Sequence, residues 1–314
     1  MSKTNAQDHL WSVVLAGGDG RRLSPPIKQW LGRHLPKQYC TFVGTRSMFQ
    51  HTLDRADKLT DPEHKVTVIA SAHRAEAWSQ LKDRHPGRII EQPANRDTGV
   101  GVFLALAYIR ARDSQATIVL HPSDHFVHPE EQLIEVLRCA VKAVHHLKGR
   151  PILLGVKPDR LEQEYGWIQP GHDFGRVNGL RVRAVQSFLE KPSATEAATA
   201  ILRESLWNTM IMVSGAEWLW GLGWQHVPEM MSSFEYLKDA FQRPDEDDFL
   251  EAAYQNMPSK NLSFDVLARA SDQVAVIEMG GVLWNDWGNW QRISDTLGRI
   301  GKYPAFALTQ ASKG

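Results

Sequence analysis

Cysteine is nearly absent from this sequence: Cys40 and Cys139 are the only two in 314 residues. Their spacing offers neither a disulfide framework nor a paired metal site, which fits a reducing compartment. Excess charge of either sign is also missing, because 36 Lys and Arg balance 36 Asp and Glu. No long-range field would then draw the chain to nucleic acid or an anionic membrane, and any anion site must be local. Apolar runs are short of the ~20 residues that span a bilayer. The opening MSKTNAQDHLW lacks the charged-then-apolar order of a secretion signal, so a cytoplasmic location is expected. No internal repeat or linker breaks the chain. No Ser/His/Asp or Cys/His nucleophile set stands out either, despite 13 histidines.

What is present is an ordinary globular balance, 42% hydrophobic and 23% charged. The length exceeds the ~100–150 residues of a typical domain but suits one large α/β unit with an annex. Short apolar runs read as strands at Trp11 to Ala16, Lys65 to Ala70, Arg88 to Glu91, Ala116 to Leu120 and Pro151 to Val156. Between them, Ser47 to Lys58, His73 to Asp83, Thr98 to Arg112 and Pro129 to Lys148 carry apolar residues at helical spacing or helix-dipole charge order. This alternation predicts a parallel sheet with helices on both faces and ligands outside the carboxyl ends of the strands. From Tyr165 to Pro192 the pattern becomes β-rich with glycine turns, which predicts an antiparallel insertion and a mixed sheet. Trp218 to Tyr254 reads as helical, with the acidic run Asp245 to Asp248 as an N-cap and first turn. A last strand is expected at Gln273 to Met279 and a closing helix at Trp290 to Ile300.

Chemistry is expected in the loops that follow the strands. After the first comes LAGGDGRRLSPPIKQWLGRHLPKQY, where Gly17, Gly18 and Gly20 let a backbone approach a ligand and cradle phosphates. Arg21, Arg22 and Lys37 add fixed cations, and the combination suits a triphosphate. Neither the dinucleotide fingerprint nor the P-loop pattern is present. Pro25 and Pro26 argue that an extended loop holds the phosphates, rather than a helix N-terminus. HPSDH places Asp124 after one strand, and WNDWGNW places Asp286 after another; two carboxylates from distant segments could share one Mg²⁺.

The chain resembles the sugar-phosphate nucleotidyltransferases, most closely their mannose-1-phosphate guanylyltransferase branch. The matches run in family order: LAGGDGRRL, PKQ at Pro36, EQPANRDT at Glu91, LHPSDH at Leu120, EYGWI at Glu164, FLEKP at Phe188, LWNTMI at Leu206, LSFDVLARA at Leu262 and WNDWGNW at Trp284. The resemblance implies a Rossmann-like, GT-A-type α/β fold: a mixed, mostly parallel sheet flanked by helices, with a β-rich insertion over the sugar site. It implies one domain over residues 1–300, with a nucleotide-binding half at about 10–157, a sugar-binding half at about 158–300, and a tail at 301–314. The implied reaction joins a nucleoside monophosphate, GMP from GTP being favoured, to a sugar 1-phosphate, mannose 1-phosphate being favoured, and releases pyrophosphate. The sugar phosphate arrives already dianionic, so no base is required.

By the same resemblance, Arg22, Lys37, Asp124 and Asp286 carry catalysis, with Asp124 and Asp286 holding Mg²⁺. Leu15, Ala16, Gly17, Gly18, Asp19, Gly20, Arg21, Pro93, Asn95, Arg96 and Ser123 would seat the nucleotide. Gly166, Glu190, Lys191 and Asn208 would hold the sugar and its phosphate. His125 could back Asp124, and the tryptophans at 167, 207, 284, 287 and 290 are read as packing rather than sugar platforms. Three departures bear on specificity: Arg21 where the family has Thr, Met210 where it has Gly, and a longer stretch between Arg22 and Pro36. Another NTP and sugar pair, or a non-catalytic regulatory homologue, remains a rival reading. No phosphomannose isomerase activity is expected, and self-association is left open.

Overall fold

The computed structural model describes residues 9–237, 240–241 and 243–307. In chain order the main elements are β1 (Leu10–Ala16), α1 (Ser24–Leu31), α2 (Met48–Asp57), β2 (Lys65–Ala70), α3 (Arg74–Ser79), β3 (Arg88–Gln92) and α4 (Asp97–Arg110). Then follow β4 (Thr117–Pro122), β5 (Phe126–His128), α5 (Glu130–His146), β6 (Ile152–Val156), β7 (Gly166–Val177), β8 (Leu180–Glu190) and α6 (Ala194–Leu202). The remainder is β9 (Leu206–Gly215), α7 (Ala216–His226), α8 (Pro228–Leu237), α9 (Glu246–Gln255), β10 (Ala275–Glu278), β11 (Leu283–Asn285) and α10 (Trp290–Gly298).

Nine strands form one sheet in the order β3-β2-β1-β4-β9-β6-β10-β8-β7. The first four pair in parallel, as do β6 and β10, while β9 runs antiparallel between β4 and β6, and β8 and β7 add an antiparallel edge. The expected mixed sheet with flanking helices is borne out. Alternate residues of one strand face opposite layers: Val13 joins the core under α4, α7 and α8, whereas Val14 joins the core under α2 and α10. The α5 and α6 helices close a third core over β6 and β9. Among the described residues no helix is long and apolar enough to cross a membrane.

Local chemistry sets several helix starts. Ser47 and Gln50 form a capping box at α2, as do Ser193 and Glu196 at α6. The reading of Pro25 and Pro26 as barring a helix is corrected. A short 3₁₀ turn and then α1 follow the glycines directly, because the prolines occupy its first turn, where backbone N–H groups have no intrahelical partner to lose. Asp245 does stand at the start of α9, but its carboxylate pairs with Arg243 (2.9 and 3.0 Å) instead of capping. The α3 helix stops short of the expected Asp83. Gln80 ends it, donating to the Tyr39 carbonyl (2.9 Å) and accepting from Ser47 Oγ (2.5 Å). Residues 308–314 of the expected tail lie outside the described residues.

Candidate active site

The carboxyl ends of β1 and β4 lie side by side, so the loop after β1 and the residues after Pro122 face one cleft of about 820 Å³. Gly20 has φ +60, and a Cβ there would sit 3.0 Å from the Lys37 backbone nitrogen, so both conformation and space call for glycine. The loop is pinned from behind: Gln38 Nε2 donates to the carbonyls of Ala16 (3.0 Å) and Gly18 (2.7 Å), and Tyr39 Oη donates to Ala16 (3.1 Å). Ser123 is tied to the same strand, its Oγ donating to the Leu15 carbonyl (2.6 Å).

At the end of this cleft the four charged residues converge. Lys37 Nζ lies 2.9 Å from Asp124 Oδ2 and donates to the Asp286 backbone carbonyl at 2.5 Å. Arg22 bridges Asp286 Oδ2 (3.1 Å) and Glu164 Oε2 (2.9 Å). Oδ1 of Asp286 accepts from Tyr165 Oη (2.6 Å), Gly288 N (3.0 Å) and Arg292 Nη1 (3.1 Å). Arg292 is in turn held by Glu162 (2.5 Å) and Glu164 (2.9 Å). Burial alone would raise both aspartate pKa values, but Lys37 and His125 with hydrogen bonds outweigh it, holding Asp124 at about 2. Lys37, the Tyr165 hydroxyl, Arg292 and His125 likewise hold Asp286 below the usual range. Both are anionic at neutral pH. His125, which borders the cleft, has its pKa lowered by burial; its Nδ1 is hydrogen-bonded with the Thr209 carbonyl (3.1 Å).

The two carboxylates fit a hard divalent cation. The Asp124 side chain is 41% open, and its Oδ1 lies 3.5 Å from His125 Nε2. Asp286 Oδ2 meets the half-exposed Arg22 at 3.1 Å, and a Cβ on Gly288 would fall 2.9 Å from it. No cluster of three or more candidate ligands forms among the described residues. Two carboxylates with the other positions left to substrate oxygens and water is the pattern Mg²⁺ favours.

The other expected site residues divide into three groups. Leu15, Gly17, Gly18, Asp19, Gly20, Arg21, Asn95, Ser123 and Lys191 line the cleft. Arg21 does so only at its rim, with its side chain 87% exposed and paired to Asp19. Ala16 is buried behind the loop, and the Pro93 carbonyl accepts from Ser71 Oγ (3.2 Å). Arg96 donates to the Tyr254 carbonyl (3.2 Å) and is not among the residues that line the cleft. Gly166, Glu190 and Asn208 meet at the ends of β7, β8 and β9: a Cβ on Gly166 would be 2.8 Å from Glu190 Oε2 and 3.3 Å from Asn208 Cβ. Burial, offset by Lys191, raises the Glu190 pKa.

Sequence reasoning missed Tyr165, Arg292, Glu162, Glu164 and Gln38 as members of the site. Glu164 and Tyr165 stand in the quoted EYGWI segment, and Gln38 in PKQ, so the signal was adjacent; Arg292 had none. Backbone strain marks the same place. Seven described non-glycine residues have positive φ, and Asp97, Lys191 and Met210 among them line the cleft while Trp287 follows Asp286. Such conformations cost ~1–3 kcal/mol each and concentrate at functional sites.

The fold and this charge cluster define a phosphate-handling α/β protein. The chain belongs to the nucleotidyl transferase family, whose profile matches residues 11–300. Among curated relatives it is 26% identical over 291 residues to a mannose-1-phosphate guanylyltransferase of Escherichia coli, covering 90% of this chain and 61% of that one. It is 27% identical over 302 residues to the xanthan biosynthesis protein XanB of Xanthomonas campestris, covering 92% and 60%. This chain thus spans about three fifths of the length of these relatives. Among solved structures it is similar to a mannose-1-phosphate geranyltransferase from Thermus thermophilus, with a TM-score of 0.77 and 26% identity over 92% of this chain and 79% of that one. A UDP-glucose pyrophosphorylase complexed with UDP-glucose, at 13% identity and a TM-score of 0.56, shares the fold.

Proposed function

We propose that this protein transfers GMP from GTP to mannose 1-phosphate, giving GDP-mannose and pyrophosphate, with Mg²⁺ as cofactor. The observation that carries the reading is the convergence of Lys37, Arg22, Asp124 and Asp286 at the mouth of the glycine loop. Two polyanions must meet here, and neutralisation with alignment is the main requirement of such a transfer. The attacking phosphate oxygen is mostly deprotonated at neutral pH, so the reaction requires no positioned base. Lys37, with its side chain 6% exposed, is a fixed charge beside the reacting phosphates. Arg22 is freer and moves from Asp286 and Glu164 to the triphosphate. A cation held by Asp124 and Asp286 would draw charge from the phosphate oxygens. Gly166, Glu190, Lys191 and Asn208 receive the sugar, in a half of the cleft built by residues 158–300, while residues 10–157 receive the nucleotide.

The preference for GTP and mannose 1-phosphate rests on the relatives' names and is the finer part of the reading. It is tested by incubating the purified protein and Mg²⁺ with a matrix of NTPs and sugar 1-phosphates while reading pyrophosphate. Turnover highest for GTP with mannose 1-phosphate is expected. A higher rate with another pair overturns the substrate assignment, and no pyrophosphate from any pair overturns the reaction.

A further inference from the structure

Met210 is held in a backbone conformation that disfavours any side chain, and its side chain nevertheless reaches the cleft. On β9 the ladder to β6 jumps from the pair Gly155 and Asn208 to the pair Leu153 and Met212, so β9 carries two extra residues there. Thr209 Oγ1 fills the gap by donating to the Leu154 carbonyl (2.6 Å), and Asn208 Oδ1 accepts from Met210 N (3.2 Å). The bulge leaves Met210 at φ +60, where glycine would be unstrained. Bulges beside active sites commonly re-aim a side chain. Here the re-aimed side chain borders the same cleft as Lys191 and Asp97, and its sulfur accepts a hydrogen bond from Ser263 Oγ (2.9 Å). Ser263 also accepts from Asn208 Nδ2 (3.3 Å), and Asn208 packs against Gly166 beside Glu190. The thioether is therefore anchored to the residues that receive the sugar.

We infer that Met210 is a specificity-determining residue: its side chain is a wall between the phosphate half of the cleft and the Glu190, Lys191 and Asn208 group, and it limits the acceptor to hexose 1-phosphates without a bulky ring substituent. The inference rests on the proposed transfer reaction. A core role alone does not require a strained position, because a residue needed only for packing gains nothing from φ +60. The thioether presents apolar, polarizable surface to the sugar ring and offers no donor to an amide or acyl group. An N-acylated hexosamine 1-phosphate would have to displace it.

The test compares kcat/KM for an unsubstituted hexose 1-phosphate with that for its N-acetylated 2-amino counterpart, in wild type, Met210→Gly, Met210→Ala and Met210→Leu. With Met210→Gly the ratio is expected to shift toward the N-acetylated acceptor by about tenfold or more, a one-methylene-or-larger discrimination, with KM for the NTP unchanged. Met210→Ala should shift it in the same direction, and Met210→Leu, which keeps the volume, should leave it near wild type. If Met210→Gly folds poorly, Met210→Ala alone decides. A ratio within about twofold of wild type in the alanine and glycine variants overturns the inference, as does an equal change with both acceptors. Failure of the underlying reading is distinct: wild type would then release no pyrophosphate with any acceptor.

Discussion

At the scale of single residues, the site depends on two aspartates joined through Lys37, which pairs with the Asp124 carboxylate and donates to the Asp286 backbone carbonyl. Asp124→Asn and Asp286→Asn each remove one negative charge while preserving shape, so both variants should keep the wild-type fold by circular dichroism and lose pyrophosphate release by about 10³-fold or more. Retention of activity in both would remove these residues from the chemistry. His121 provides a separate test of burial. It lies on β4, fully buried, with Nε2 unpartnered among the described residues, and burial followed by the Arg55 charge pushes its pKa down to about 3. The unfolded chain takes up this proton near pH 6.5 and the folded chain does not until about 3. The contribution to stability is thus complete above pH 6.5 and is lost as pH falls through that window, at up to ~1.4 kcal/mol per pH unit. Urea denaturation at pH 6, 5 and 4 should show a steeper decline for wild type than for His121→Gln. Parallel declines would mean that His121 finds a partner for its proton.

At the scale of elements, the turn between β11 and α10 is tightly confined. Trp287, at φ +48, stacks on Phe126 (4.5 Å) and meets Phe42 edge-on (5.5 Å), which fixes the residues on either side of it. A Cβ on Gly288 would fall 2.8 Å from Arg292 Nη1, 2.9 Å from Asp286 Oδ2 and 3.2 Å from Arg22 Nη1. These are the ends of side chains, so Gly288→Ala is accommodated by displacing them. The expected outcome is a kcat lower by about 10–10²-fold, since misplacement by ~1 Å suffices for that. Stability by urea denaturation should change by less than ~1 kcal/mol, because no core packing is touched. Unchanged kcat would show that Asp286 is not held in a required position.

The same elements show what the sequence discloses. The strands at 10–16, 65–70 and 117–122 are legible because they are short apolar runs buried on both faces, and the half-buried edge strand at 88–92 shows through its paired isoleucines. The central strand β9 is visible in the sequence only as the motif LWNTMI and not as a strand, since its bulge at Thr209 to Ile211 breaks the pattern that would reveal it. The α1 helix is hidden by two prolines that suit a first turn. In the site, Arg22, Lys37, Asp124 and Asp286 are legible from motif order. Arg292 is not, because only the fold brings an ordinary helix residue against Asp286 and Glu162.

At the scale of the whole molecule, the site closes only when segments distant in sequence meet. Arg22 and Asp286 are 264 residues apart in sequence and touch because α10 and the segment after it pack on the N-terminal core. Trp290 and Phe306 stack at 4.2 Å, Trp30 meets both rings edge-on at 6.0 Å, and Ala305 N donates to the Phe42 carbonyl at 2.8 Å. Phe306 is buried within this cluster. Phe306→Ala should therefore lower stability by ~3 kcal/mol, the low end for loss of a buried phenyl ring. That is a large share of the ~5–15 kcal/mol that holds a typical protein folded. Because α10 carries Arg292 and begins just after Asp286, nucleotide affinity should weaken along with stability. Urea denaturation and nucleotide titration of the same variant check both effects. A loss of stability with unaltered nucleotide affinity would mean that Asp286 and Arg292 are held by their own ion pairs, independent of the closure that first brings them to Arg22.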